Sequence, residues 1–457
     1  MNNSSEKTKS TQSASLPEAS RQKQILKLSL PITISILGFA SVGLIDVGMV
    51  GRLGDVSLAA IGLANSLFFM LFVITMGLGT GVQTLAAMQV GEGNLHLSGK
   101  DLNGGLLLGM ALGLILMVIG YIALPFCVSY MNQDPEVVGQ GIAYLNTRMP
   151  QLLLFVLCFL FRSYWNGIGK PQITLLEMTS AIILNTVFNY LLIFGKFGFP
   201  EMGASGAGLS TTLAQFCTLI VYLAIGIGRL QINGFLRGLP DKERIRSLIQ
   251  LSVPVSVSQF FATISLSVLF FMVGFLGTRE TAAFNVMNNI MVTIILIADA
   301  MGFATITFIG QAMGRKDIPG AKKWAWDVSK TGVGVLLIFA ILVGLFPQAI
   351  LSVFIVDPDT IAIVLAPLRV SIGNILVIGF FTIMCAAFVG AGAPKTSLAL
   401  TLIIQWCLML PLQWILGIYT GFGLMGIVLG FLIAYTIGGF LVSFIWYKEG
   451  WSRSRLW

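Results

Sequence analysis

The stretch "LIDVGMVGRLG", Leu44 to Gly54, ends an apolar run, "LSLPITISILGFASVG", that follows Lys27, and Asp46 is its one ionisable group before Arg52. The rest of the chain limits what chemistry that carboxylate could do. The single histidine, His96, sits in a predicted loop and rules out an HExxH zinc site, and no Ser/His/Asp set can be assembled. No GxxxxGK[ST] loop is present, so this chain does not itself use ATP. The cysteines Cys127, Cys158, Cys217, Cys385 and Cys407 lie in or beside apolar runs without CxxC spacing, and read as packing residues. Without an enzyme's machinery, the chemistry left to Asp46 is to hold a proton or a cation inside a membrane. The alternative is an interfacial carboxylate that pairs with Arg52 or snorkels outward. Arg52 lies six residues further on, roughly 9 Å at helical rise.

The elements that must position Asp46 are membrane spans. Of 457 residues, 56% are hydrophobic and only 10% charged, with 51 glycines and 32 phenylalanines, and the mean hydropathy is +0.90. A water-soluble globular domain does not have this balance. The apolar runs predict twelve helices, at 27–50, 57–85, 104–126, 139–163, 172–195, 205–228, 247–275, 281–311, 325–346, 360–389, 396–418 and 423–447. The expected class is an all-α polytopic membrane protein. Residues 1–26 read as a disordered tail, since they lack the apolar middle of a signal peptide. Lys and Arg concentrate in the segments that share a side with the N-terminus, which predicts that both termini are cytoplasmic. The net charge of +8 follows from that bias and implies no nucleic acid.

The chain also repeats itself. "LPITISILGFASVGLIDVGMVGRLG" from Leu30 lines up without gaps on "VPVSVSQFFATISLSVLFFMVGFLG" from Val253, a shift of 254 − 31 = 223 between the prolines. The same shift pairs Ala59, Ala60 and Asn65 with Ala282, Ala283 and Asn288, Gly91 with Gly314, and "GIGKP" at Gly167 with "GAGAP" at Gly390. The expected plan is an N-lobe at 27–228, a basic cytoplasmic linker at 229–246, a C-lobe at 247–447 and a short tail at 448–457. Six helices per half make the lobes parallel repeats about a membrane-normal axis, which suits a secondary transporter opening a central cleft to either side in turn.

Asp46, Glu177 and Asp299 fall within predicted spans, where a carboxylate costs about 2.5 to 3.5 kcal/mol to insert. Asp46 meets Leu269 at the repeat shift, so the helix does not need an acid there to pack. Glu177 reads as interfacial. Arg148 and Arg369 read as braces of their lobes. Asn65 and Asn288 recur and therefore read as shared interhelical glue. Asn185 and Asn189 do not recur, and being four apart they share one helix face.

With these residues on view, the chain resembles the multidrug and toxic compound extrusion (MATE) family, nearest its NorM-like branch. The resemblance rests on "IDVGMVGRLG", "FRSYWNGIGKPQ", "LNTVFNYLLIFGKFGFPEMGASGAGLSTTLAQ" and "VGAGAPK", and it spans the chain after the tail. It implies export of small, cationic or amphipathic organic molecules in exchange for H⁺ or Na⁺, with no cofactor. It implies an N-lobe cation site at Asp46, Asn185, Asn189 and Thr211, with Thr212 one step away. It also implies a monomer in a bacterial inner membrane, whose only other partner is the lipid bilayer.

Two departures matter. The family's acidic helix 7 position falls here at Ala262, with Gln259 nearby, and no acid occurs between Asp359 and Lys395. The C-lobe site is therefore not expected in that form, and Asp299 with Gln259 is the candidate substitute. Asn189 cannot ionise where some relatives have aspartate. One ionisable group in the N-lobe favours H⁺ coupling, with Na⁺ at Asp46, Asn185 and Asn189 as the alternative. A flippase for lipid-linked precursors, the other transporter class weighed, would need a strongly cationic cleft. Only Arg148 and Arg369 offer that.

Overall fold

The computed structural model describes residues 17–352, 354 and 357–453. Among them are twelve helices long and apolar enough to cross a membrane. These are α1 (Glu18–Leu53), α2 (Asp55–Glu92), α3 (Leu95–Met131), α4 (Pro135–Gly167), α5 (Gln172–Ile193) and α6 (Gly203–Arg229). The second half supplies α7 (Lys242–Gly274), α8 (Thr278–Gly314), α9 (Ile318–Leu345), α10 (Pro358–Gly390), α11 (Pro394–Tyr419) and α12 (Gly423–Tyr447). Helices are the expected solution, because hydrocarbon offers no partner for an unpaired backbone amide or carbonyl. The same environment tolerates the internal prolines Pro31, Pro125, Pro150, Pro254 and Pro367.

Sequence marks some ends well. Asp134 caps α4 by accepting the Glu136 amide at 2.9 Å, with Pro135 in the first turn. Asp317 caps α9 through the Gly320 amide at 2.8 Å. Elsewhere the helices outrun their apolar cores. α1 begins at Glu18, so residues 18–26, expected in a disordered tail, are helical. Residues 1–16 and 454–457 lie outside the described residues. α2 carries a break at Ile74–Thr75, where the Thr75 hydroxyl donates to the Phe72 carbonyl at 2.7 Å. α11 contains two π-helical stretches, Ile403–Met409 and Trp414–Tyr419.

The chain divides into two compact units, but not at the basic linker. One unit is residues 34–256, and the other joins the residues up to Thr33 to those from Val257 onward. This departs from the division expected at 229–246: the start of α1 packs with the second half of the sequence, and the start of α7 with the first.

In the 34–256 unit α4 is central and packs on α2, α3 and α6. Phe155 of α4 takes ring contacts from Phe39, Phe72 and Phe159, with centroids 4.9, 4.4 and 6.4 Å away. α6 approaches α4 so closely that a Cβ on Gly208 would lie 2.6 Å from the Tyr144 carbonyl oxygen. In the other unit α10 takes the same central place, against α8, α9 and α12. Its core includes Phe308 stacked on Trp324 at 4.5 Å, and Phe388 edge-on to Trp446 at 5.1 Å.

Candidate functional site

Asp46 lies one turn before the end of α1's regular helix, at Val50, and its side chain is buried, with the residue 6% exposed. Its carboxylate bonds into a polar pocket built by α5 and α6, and among the described residues no ion pair joins it to Arg52, the partner an interfacial role would have used. Asn185 and Asn189 occupy successive turns of one α5 face, and the Asn189 Nδ2 donates to Asn185 Oδ1 at 3.1 Å. The other proton of that amide goes to Asp46 Oδ1 at 2.6 Å.

α6 closes the pocket from the other side. Thr211 Oγ1 lies 3.4 Å from Asp46 Oδ2 and accepts from Asn185 Nδ2 at 3.3 Å. Its single proton has a closer acceptor in the Ala207 carbonyl, at 2.8 Å. Asp46 Oδ2 is therefore left facing a hydroxyl whose proton is already engaged. Ser210, which the sequence reading did not single out, donates to Asn189 Oδ1 and so fixes which way that amide faces. The only signal for it was its place in "STT", beside Thr211. Thr212 turns elsewhere and donates to the carbonyls of Thr147 and Gly208, both at 2.9 Å.

The site sits where it does because α5 and α6 form a tight hairpin. Gly195 adopts a positive φ of 62° at the turn. A Cβ on Gly206 would lie 2.6 Å from the Leu192 carbonyl oxygen, so only glycine lets the two helices meet at this depth. Arg148 on α4 is the cation whose charge acts on Asp46. Its guanidinium lies over the Phe68 and Tyr144 rings, at 4.7 and 5.2 Å, and donates to Gln151 Oε1 at 2.8 Å. Arg148 thus links α4 to Phe68 of α2.

Three other acidic positions contrast with Asp46. Glu177, expected at the interface, is buried instead. Arg162 Nη2 donates to both of its oxygens at 3.0 Å, which ties α4 to α5. Asp101, expected in a loop, lies in α3 at 1% exposure and pairs with Arg244 at 3.2 Å. Asp299 is half-buried on α8, and among the described residues no hydrogen bond or ion pair joins it to Gln259. Asp299 and Gln259 are thus not joined in this way, whereas Asp46, Asn185, Asn189 and Thr211 are linked through hydrogen bonds. No group of three or more His, Cys, Asp or Glu among the described residues could hold a metal ion.

Comparison with known proteins agrees with the architecture. The family model MatE matches residues 31–191 and again 254–415, and the two matches begin 254 − 31 = 223 residues apart. The chain is 28% identical over 429 residues to the "Probable multidrug resistance protein NorM" of Bradyrhizobium diazoefficiens, which covers 92% of this chain and 91% of that protein. It is 26% identical to the "Probable multidrug resistance protein YoeA" of Bacillus subtilis, with 97% of each covered. Among solved structures, the Vibrio cholerae MATE transporter VcmN in its bent form superposes with a TM-score of 0.86 at 18% identity, covering 94% of this chain and 97% of that one. A MOP superfamily transporter from Pyrococcus furiosus gives 0.85 at 22% identity, covering 94% and 96%. A doubled family match over most of the chain, on twelve spans, makes this protein a membrane transporter and not an enzyme, and it belongs to the MatE family.

Proposed function

We propose that the protein exports cationic or amphipathic organic molecules across a bacterial inner membrane, by alternating access, in exchange for protons handled at Asp46. The family supplies the transport activity and the drug-resistance context of its relatives. The observation that carries the choice of ion is the orientation of the Asn189 amide. Its nitrogen, not its oxygen, faces Asp46, and Ser210 holds its oxygen the other way. A sodium ion at this place would need the Asn185 and Asn189 oxygens directed at it. Each already accepts one hydrogen bond, from Asn189 and Ser210 respectively, which takes up one of its two lone pairs. A proton on Asp46 Oδ2 requires no rearrangement, because Thr211 Oγ1 lies within reach as its acceptor.

In the cycle this implies, protonation neutralises Asp46 and weakens its short bond to Asn189. α1 loosens against α5 and α6, and the affinity for a bound organic cation falls while the site faces outward. The drug leaves, and the proton is released on the cytoplasmic side. The Na⁺ reading keeps one specific observation in its favour, the convergence of four oxygen-bearing side chains on one pocket.

The test is uptake of a cationic dye into proteoliposomes under an imposed proton gradient, with and without Na⁺, for the parent and Asp46→Asn. Uptake driven by the proton gradient alone, and lost in the variant, supports the proposal. Uptake that follows Na⁺, or that persists in the variant, removes Asp46 as the proton carrier.

A further inference from the structure

Arg21 near the start of α1 and Arg244 near the start of α7 are equivalent under the internal repeat, since 244 − 21 = 223. Each makes an ion pair with an aspartate from the other half of the sequence. Arg21 Nε donates to Asp327 Oδ2 at 2.6 Å on α9, and Arg244 Nη1 reaches Asp101 Oδ1 at 3.2 Å on α3. The boundaries of the compact units obey the same shift, falling after Thr33 and after Ser256. A break found twice at equivalent positions is a property of the fold.

The packing around each pair is intimate. Leu248, the repeat equivalent of Ile25, is 1% exposed. Beside it the α7 backbone crosses α2 so closely that a Cβ on Gly77 would lie 2.2 Å from the Ser252 carbonyl oxygen, and one on Gly81 would lie 2.4 Å from Ser252 Oγ. Gln89, with its amide oxygen turned toward Arg244, accepts from that guanidinium at 3.0 and 3.1 Å. At the other end Ile25 is fully buried in the same apolar core as Trp324 and Val328. Separating Arg244 from Asp101 would strand an aspartate that is 1% exposed in a glycine-lined seam, and separating Arg21 from Asp327 would leave one that is mostly covered without its cation, which disfavours opening either in every cycle.

We infer that the Arg21–Asp327 and Arg244–Asp101 pairs are permanent staples, and that the bodies which move during transport are the exchanged units rather than the two halves of the sequence. The first turns of α1 then travel with α9, and the first turns of α7 with α2 and α3. This holds whichever ion drives the exchange.

The test replaces each pair by cysteines, Arg21→Cys with Asp327→Cys and Arg244→Cys with Asp101→Cys, and links them with a short bis-maleimide in proteoliposomes. The unlinked variant and the linker-treated parent, with its native cysteines, serve as baselines. Dye uptake should stay within about twofold of the unlinked value after linking. Loss of uptake on linking overturns the proposal. A second measurement keeps it testable where the cysteine variants fold poorly: nitroxides on the exposed Gln24 and Lys330 report a distance across sequence halves but within one unit. That distance should not change between pH 5 and pH 8, or on adding dye, whereas the Gln24 to Glu92 distance, within one half but between units, should change. A shift in the Gln24 to Lys330 distance would falsify the inference.

Discussion

Asn189 offers its amide nitrogen to Asp46 at 2.6 Å while Ser210 holds the oxygen of the same amide from α6. Three helices therefore meet in one hydrogen-bonded chain, and the state of the carboxylate on α1 is felt on α5 and α6. Under the proposed proton coupling, a proton arriving at Asp46 would change what its partners must do and so convert charge into helix movement.

Asn189→Leu keeps the bulk of the side chain but removes the donor to Asp46. A hydrogen bond to a charged group contributes about 1.5 to 3 kcal/mol, so proton-driven dye uptake should fall by roughly 10- to 100-fold. The thermal midpoint in detergent should move little by comparison. Uptake near the parent level would show that this bond plays no part in coupling.

Asn189→Asp asks the ion question directly. It places a second carboxylate against Asp46 and gives the pocket the anionic oxygens that a hard cation prefers. Dye uptake should acquire a stimulation by Na⁺ larger than the parent's, measurable as counterflow at fixed pH. A variant as insensitive to Na⁺ as the parent would mean that the pocket cannot close around a metal ion.

Adjacent threonines on α6 give a matched comparison. Thr211 faces Asp46 Oδ2, whereas Thr212 donates to the Thr147 and Gly208 carbonyls. Thr211→Val should reduce coupling by about tenfold, on the order of one hydrogen bond. Thr212→Val should lower stability while leaving the proton dependence of uptake unchanged. Equal effects on coupling would remove the distinction drawn between the two.

These contrasts show which features can be read from sequence. The twelve spans were legible because hydrocarbon demands long apolar runs, and the repeat because one offset served separated places. Helix ends were not. "LHLSGKD" reads as a polar loop, yet it is the first two turns of α3, because Asp101 finds its cation on α7, 143 positions away. Glu177 was misplaced for a similar reason. Arg162 neutralises it only once α4 and α5 fold back on one another. The exchange of the α1 and α7 ends was hidden altogether: a repeat reveals that two halves are alike, not which half each helix end packs on. The convergence of Asn185, Asn189 and Thr211 on Asp46 was anticipated through family resemblance, with the four-residue spacing as its only physical cue. Ser210, the residue that orients the Asn189 amide, was missed.

The Arg162–Glu177 pair offers a stability test apart from the ion site. Glu177 is 2% exposed, so Glu177→Gln leaves the Arg162 charge without its carboxylate in a buried setting, at a cost of about 3 to 5 kcal/mol. Expression and thermal midpoint should both drop. The double variant Arg162→Met with Glu177→Leu should regain most of the loss, since apolar side chains of similar size often replace a buried pair without penalty.

Gly208 tests whether coupling depends on how closely α6 approaches α4. A Cβ there would meet Thr147 Oγ1 at 2.4 Å and the Tyr144 carbonyl oxygen at 2.6 Å, and Thr147 already spans the gap by donating to the Ser205 carbonyl at 2.9 Å. Gly208→Ala must therefore push α6 outward, carrying Ser210 and Thr211 away from α1. Overpacking of this kind costs about 1 to 3 kcal/mol, and the thermal midpoint should fall with proton-driven uptake. Gly43→Ala, also in a helix but with nothing within 4 Å of the added atom, should change neither. If Gly208→Ala lowered stability but left uptake per folded protein unchanged, α6 would be a scaffold rather than a working wall of the pocket.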